Sequence, residues 1–110
     1  MADEKILTNA QEDESSTLVK LSKAYRFEGK DYTEVDLSGM DDLSAEDMIA
    51  ADRYLTRSGS FSVMPEMTLE YACFIAARAA KQPIEFFRGL PPKDALKVKN
   101  RVTSFFYSED

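Results

Sequence analysis

The stretch TLEYACFIAARAAKQP, residues 68–83, constrains the fold of this chain more than any other segment. Thr68 suits the N-cap of a helix, and Pro83 limits the helix at its far end. From Leu69 to Ala80 only Glu70 and Arg78 are charged, so this helix is apolar on nearly all sides. Such a helix lies at the centre of a core or is covered on two sides, and one of those covers can be another subunit. The sequence leaves both arrangements open.

The chain has room for one hydrophobic core. Its 110 residues, of which 44% are hydrophobic and 31% charged, are typical of a single folded soluble domain. Residues 1–16 hold five acidic residues and one basic residue, and we expect them to be a disordered acidic arm preceding a domain at 17–110. No apolar run reaches the roughly 18–20 residues of a membrane helix, and no secretion signal is recognisable. We therefore expect a cytoplasmic protein that does not bind membranes.

Residue types that commonly carry catalysis are scarce. The chain has no histidine and a single cysteine, Cys73, which we interpret as a small buried hydrophobic residue. Zinc sites and Cys/His nucleophile pairs therefore have no residues to form them. The four glycines are far apart, so no phosphate-binding loop is present. We expect no cofactor, no metal and no enzymatic activity.

A β-hairpin is predicted near the N-terminus of the domain. Odd positions from 19 to 27 are mostly apolar, and a second alternating run follows at 33–37. A two-residue turn at 29–30 would mix the two faces. We favour a three-residue loop at 29–31, which pairs Tyr25 with Val35 and Arg26 with Glu34. Two strands alone are only marginally stable, so helices must cover them.

The segment LSAEDMIAADRYLTRSG carries start and stop signals for a helix. Ser44 is a good N-cap, with Asp47 at the capping-box position, and Gly59 suits the C-terminal end. Four apolar residues share one helical stripe, which we expect to face the core: Ala45, Met48, Ile49 and Leu55.

The remaining sequence predicts a short helical turn and a final helix. The turn runs from Pro83 to Arg88 and is ended by Gly89, and the prolines at 91 and 92 suit the start of the last helix. In that helix a basic surface accompanies an apolar stripe of Ala95, Val98, Val102 and Phe105. The predicted fold is therefore α+β, with an N-terminal β-hairpin followed by three to four helices in one small domain.

Several large apolar residues are candidates for partner binding. The connection SGSFSVMPEM is rich in Gly, Ser and Pro, yet it carries large apolar side chains that either pin the loop to the core or contact a partner. The candidate partner contacts are Phe61, Met64 and Met67 in the loop and Phe86, Phe87, Phe105 and Phe106 nearer the C-terminus. For Phe87 and Phe105 we favour a position in the core. We expect truncation of Phe106 to alanine to weaken partner binding with little effect on the melting temperature.

Charge is unevenly distributed along the chain. Residues 30–70 hold ten acidic residues and three basic ones, whereas residues 71–101 hold seven basic residues and two acidic ones. This asymmetry fits two ordinary solvated faces, or complementarity between copies of the chain. The net charge of −6 and the absence of a recognised motif argue against nucleic-acid binding.

Four segments carry a further signal, namely YRFEGKDYTEVDLSG at 25–39, DLSAEDMIAADR at 42–53, MPEMTLEYACFIAARA at 64–79 and PIEFFRGLPPKDALKVKNRVTSFF at 83–106. Together they resemble the small tail assembly chaperones of tailed bacteriophages and prophages. The four segments cover nearly all of the predicted domain in the expected order, and residues 1–16 lie outside the resemblance.

The resemblance implies a non-enzymatic protein that binds the long helical tape measure protein, keeps it soluble and assists assembly of the tail tube. It implies repeated copies along the client, and a role in the bacterial cytoplasm with absence from the finished virion. It also implies a longer product made by ribosomal frameshifting, with which the chain can associate, and for which the codons of Phe105 and Phe106 are a candidate slippery sequence. The alternatives are a structural tail or neck protein and a small nucleic-acid-binding regulator.

Overall fold

The computed structural model describes residues 17–59, 62 and 64–107. The predicted acidic arm at 1–16 and the candidate Phe61 lie outside the described residues. The elements are β1 (Leu18–Phe27), β2 (Lys30–Asp36), α1 (Ala45–Arg57), α2 (Leu69–Ala80), α3 (Ile84–Arg88) and α4 (Pro92–Tyr107), with 3₁₀ turns at Ser38–Asp42 and Pro65–Met67. The two strands form an antiparallel sheet and the helices follow it, so the predicted α+β fold is confirmed. Within the described ranges no helix is long and apolar enough to cross a membrane.

Helix α2 lies at the centre of the core, as its apolar composition requires. It packs against the other three helices and both 3₁₀ turns. Most of its residues are buried, namely Tyr71, Ala72, Cys73, Ile75, Ala76, Ala77 and Ala79. The contact with the first 3₁₀ turn is so close that a Cβ at Gly39 would stand 2.2 Å from the Ala79 carbonyl oxygen. Of the two arrangements that the sequence left open, the structure therefore shows α2 covered by elements of its own chain.

The turn of the hairpin differs from the prediction. It is a two-residue turn at Glu28 and Gly29, whose φ values of 50° and 80° suit the mirror-image turns that match strand twist. Arg26 therefore pairs with Asp31, and the predicted pairing of Arg26 with Glu34 is wrong. The expected partner of Tyr25, Val35, instead pairs with Val19 beyond an irregularity between residues 20 and 25. This bulge allows both ends of the hairpin to turn apolar residues inward.

Phe86 of α3 holds the turn end of the hairpin against the helices. Its ring is buried and meets Tyr25, Phe27 and Tyr32 edge-on, with centroid distances of 5.2, 5.1 and 4.9 Å. The Tyr25 hydroxyl also donates to the Phe86 carbonyl oxygen at 2.8 Å, and burial raises the pKa of this phenol. Aromatic edge contacts of this kind add to simple area burial. They supply the support that a two-stranded sheet lacks on its own.

Polar contacts align α4 with β1. The Asp94 carboxyl group is fully buried and accepts hydrogen bonds from the Ser22 amide at 2.9 Å and the Ser22 hydroxyl at 3.0 Å. Further along the helix, Lys97 donates to the Lys20 carbonyl at 2.8 Å. Arg101 donates to the carbonyl of Leu18 at 3.2 Å. The helix and the strand therefore run in opposite directions, side by side.

The predicted core-facing stripe of α1 is wrong for three of its four residues. Leu55 is buried, but Ala45, Met48 and Ile49 are exposed. The Asp47 carboxylate caps the helix by accepting from the Ser44 amide at 2.9 Å, and it also accepts from Arg78 of α2 at 2.7 Å. The hydrogen bond from the Ser44 amide, and to a lesser extent the one from Arg78, holds the pKa of the Asp47 carboxyl group below its usual range.

A ring contact completes the docking of α1 on α2. Tyr54 meets Phe74 at 5.2 Å between ring centroids. With Asp47, Tyr54 and Leu55 turned toward α2, the face of α1 that carries Met48 and Ile49 is directed away from the core.

The apolar stripe of α4 ends on Phe106 rather than on Phe105. Val98 and Val102 are buried, Phe106 packs against the core, and Phe105 is 37% exposed. Arg101 already contacts Leu18, the first residue of β1, so the last turn of α4 extends beyond the strand. On the side that faces α2, the ring of Tyr71 still covers Phe106. The predicted core position of Phe105 is therefore wrong.

The Asp94 contact yields a stability prediction. We expect Asp94→Ala to lower the free energy of unfolding by about 2–3 kcal/mol, because it removes two hydrogen bonds to a buried carboxyl group. Ser22→Ala is the matched control, since it removes only the hydroxyl donor and should cost about 1 kcal/mol. Urea unfolding followed by circular dichroism measures both. Equal losses for the two variants would contradict the assigned role of the Asp94 carboxyl group.

Candidate partner-binding surface

Large apolar side chains are concentrated at the surface around α1 and the second 3₁₀ turn. Met48 is 37% exposed, Ile49 53%, Met64 49% and Met67 38%. Three of these four residues are methionines, whose unbranched, polarisable side chains adapt to differently shaped partners. Contiguous exposed apolar area of this kind marks interaction sites more often than single exposed residues do.

Two of these residues, Met48 and Ile49, line a groove of about 210 Å³, which we call the α1 groove, and Met64 and Met67 lie within two residues of Pro65, which also lines it. Met48 and Ile49 of α1 form one wall and Pro65 of the 3₁₀ turn another, with Tyr71 of α2 between them. Asp52 is the single charged residue among those that line it. The groove is therefore apolar, with one negative charge available to a basic group of a partner.

Thr68 fixes the 3₁₀ turn relative to α2. Its hydroxyl accepts from the Tyr71 amide at 3.2 Å, which caps α2, and donates to the Pro65 carbonyl at 2.8 Å. The Thr68 amide also donates to the same carbonyl, at 3.0 Å. One residue therefore both begins the central helix and holds a wall of the α1 groove in place.

Tyr71 links the α1 groove to the end of α4. Its ring lines the groove, is only 3% exposed and meets the ring of Phe106 edge-on at 6.0 Å. Phe106 in turn contacts Phe105, with 6.3 Å between ring centroids. The C-terminal aromatic residues and the α1 groove are thus joined through one buried tyrosine.

A second groove, of about 580 Å³, lies between the start of α2, α3 and the start of α4. We call it the α2–α4 groove. Its lining includes Leu69 of α2, which is 41% exposed, together with Phe87, Leu90 and Ala95. The lining is mostly apolar, so this groove can accept an apolar side chain from a partner.

The polar groups of the α2–α4 groove are few. Arg88 and Glu70 both line it and form an ion pair at 3.4 Å, and Arg88 also donates to the Tyr54 hydroxyl. The Arg88 side chain keeps half of its surface exposed. Cys73 lines the groove as well, but it is only 6% exposed, and burial raises the pKa of its thiol. A raised pKa lowers the thiolate fraction and hence reactivity.

The predicted partner residues fall into three groups. Met64 and Met67 are exposed near Pro65, a lining residue of the α1 groove, and Phe105 is exposed at the end of α4. Phe106 is half-buried on Tyr71, so its removal affects packing as well as any partner. Phe86 and Phe87 are 1% and 0% exposed and belong to the core.

The sequence interpretation missed the contribution of α1 to this surface. Met48 and Ile49 are predicted to face the core with Leu55, whereas the buried face of α1 is centred on Ala51 and Leu55. The shared stripe does not tell which part of it meets α2, so the periodicity held no signal for the exposure of Met48 and Ile49. In the described ranges, no group of three or more His, Cys, Asp or Glu residues is placed to hold a metal ion.

Comparison with known proteins gives one finding. A family model described as "Phage tail assembly chaperone proteins, E, or 41 or 14" matches residues 18–107. This range extends from the first residue of β1 to the last residue of α4 and thus includes every element described above. No curated protein and no solved structure matches the chain.

Proposed function

The chain belongs to the phage tail assembly chaperones, and we propose that it acts without catalysis by binding the tape measure protein. In this role it keeps the client soluble and assists assembly of the tail tube. The observation that carries the choice of surface is that Met48 and Ile49 are exposed and line the α1 groove, and that Met64 and Met67 are exposed close to its lining residue Pro65.

The client would bind as a helix laid along the α1 groove. Helix-in-groove recognition needs an apolar channel that accepts side chains spaced one turn apart. Met48, which lines this groove, and the exposed Met64 and Met67 near Pro65 can adapt to different turns of a long client, which a rigid pocket could not do. Asp52 favours a basic residue on the edge of the client helix.

Several copies would bind along one elongated client. Each groove is small, so a single contact is weak, and avidity along the client raises the overall affinity. The longer frameshifted form is a further partner in the same proposal. A coating of copies with net charge −6 each would also keep the client soluble, because like charges repel between complexes.

The proposal predicts that the double variant Met48→Gln/Ile49→Gln loses client binding. We expect the affinity for a helical tape measure fragment to fall by about tenfold or more, since two partly exposed apolar side chains no longer bury area on binding. The melting temperature should change little, because both residues are at the surface. Pull-down and the soluble yield of the co-expressed fragment measure the effect.

The matched control is Leu96→Gln on α4. Leu96 is 52% exposed, close to the value for Ile49, but it lines neither groove. This variant should bind the fragment as the unmodified chain does. Undiminished binding by the double variant, or an equal loss in Leu96→Gln, would place the client elsewhere.

The proposed role predicts where the chain is found. An assembly chaperone acts in the cytoplasm of the bacterial host and leaves before the virion is complete. Mass spectrometry of purified virions should therefore not detect it, whereas lysates from the assembly period should contain it. Its presence in purified virions in proportion to tail proteins would favour the alternative of a structural tail component.

The proposed longer product concerns the codons of Phe105 and Phe106. We expect a U-rich slippery heptamer at these codons and an overlapping downstream reading frame, so that the extended product replaces residues 107–110 with a different tail. The gene sequence tests this directly. A gene without the heptamer or without the overlapping frame excludes frameshifting at this position and leaves the client-binding proposal intact.

A further inference from the structure

We infer that the aromatic end of α4 in one copy of the chain inserts into the α2–α4 groove of a second copy. The last turn of α4 presents two exposed rings, Phe105 at 37% and Tyr107 at 52%, which lie on nearly opposite sides of the helix, so that the end of the helix enters the groove with one ring on either side. We call these two residues the α4 tip. The groove offers about 580 Å³ of mostly apolar space, which suits large apolar side chains. This inference stands on the geometry of the chain itself and does not depend on the client.

The α4 tip does not occupy the groove of its own copy. Pro92 and Ala95 line the groove at the start of α4, and Tyr107 is the last residue of that helix. A rise of 1.5 Å per residue places Tyr107 roughly 18 Å from Ala95 and roughly 22 Å from Pro92 along the axis. The helix is continuous between these points and both tip residues are exposed at its far end, so the tip is available to the groove of another copy.

Charge favours this occupant. Arg88 lines the groove with half of its side-chain surface exposed, and the exposed Lys93 follows the lining residue Pro92. Glu70 offsets part of this positive charge through its ion pair. The sequence after the α4 tip, residues 108–110, contributes two carboxylates and no cation. The apolar tip is therefore followed in sequence by acidic residues, and the apolar groove has basic residues beside it. This charge complementarity favours the approach of the tip to the groove.

The contact joins two different surfaces, so it does not close on itself in a pair. Each copy in a pair keeps one unused tip and one unused groove, and further copies can add to form a chain or a ring. A side-chain insertion buries less than the roughly 800 Å² per partner of a standard stable interface. Self-association is therefore weak and depends on concentration, which suits repeated binding along an extended client.

Complementary variants test the inference. The groove variant is Leu69→Glu, which places a charge at an exposed lining position, and Glu is well tolerated in the first turn of a helix. The tip variant is Phe105→Ser/Tyr107→Ser. Analytical ultracentrifugation should show that the mass of the unmodified chain rises with concentration beyond that of a pair. Each variant alone should remain monomeric.

The decisive sample is an equimolar mixture of the two variants. The intact tip of the groove variant meets the intact groove of the tip variant, so the mixture should form one-to-one pairs and nothing larger. A monomeric unmodified chain at every concentration overturns the inference. Self-association of either variant alone at the level of the unmodified chain, or a mixture that stays monomeric, overturns it as well.

Cross-linking provides a second measurement that does not depend on the folding of Leu69→Glu. Cys73 lines the groove and is the chain's single cysteine, so Tyr107→Cys adds one thiol at the tip. A disulfide between two copies doubles the mass of the chain on a non-reducing gel, which a disulfide within one copy cannot do. Oxidation at a pH high enough to form the Cys73 thiolate should produce such cross-linked pairs with Tyr107→Cys. The variant Cys73→Ala/Tyr107→Cys should produce none, which excludes a disulfide between two tips. The control Asn100→Cys, at an exposed position in mid-helix, should produce none, and equal yields would contradict the insertion.

The Met48→Gln/Ile49→Gln variant separates this inference from the proposed function. It changes the α1 groove only, so it should self-associate like the unmodified chain while losing the client. Conversely, the Phe105→Ser/Tyr107→Ser variant should still bind one short client fragment. If the Met48→Gln/Ile49→Gln variant still binds the fragment, the client proposal alone fails. If the Phe105→Ser/Tyr107→Ser variant still self-associates like the unmodified chain, the self-association inference alone fails.

Discussion

The burial of α2 on nearly all sides is the constraint on which the rest of the structure depends. A helix with so few charged residues is stable in water only when neighbours cover it, and in the described structure those neighbours come from the same chain. Each neighbour adapts to that requirement. The first 3₁₀ turn needs Gly39 to approach the Ala79 carbonyl, and α1 is oriented by the contact between Asp47 and Arg78.

Both candidate grooves are built on the N-terminal part of the same central helix. Tyr71 lines the α1 groove, while Leu69 and Cys73 line the α2–α4 groove on another side. Thr68, which caps the helix, also holds the 3₁₀ turn that borders the first groove. A buried helix can therefore support two separate surfaces, one suited to a client and one to a second copy.

The helical parts of the fold were largely predictable, and the relations between elements were not. The signals at Thr68 and Pro83 bracket α2 closely, and Ser44 begins α1 where predicted. The register of the hairpin was mispredicted, because the positive φ values at Glu28 and Gly29 and the bulge beyond them are not visible in an alternating pattern. The bulge changes which residues face inward, so a local pairing rule could not anticipate it.

The sequence by itself determined that one apolar helix must be covered, that a hairpin and further helices cover it, and that no histidine-based chemistry is available. It also carried the resemblance that the family model confirms. Only the tertiary structure decided which apolar residues remain at the surface. Met48 and Ile49 are exposed and Phe86 is buried because packing follows the neighbours that each helix face meets, and periodicity alone does not specify those neighbours.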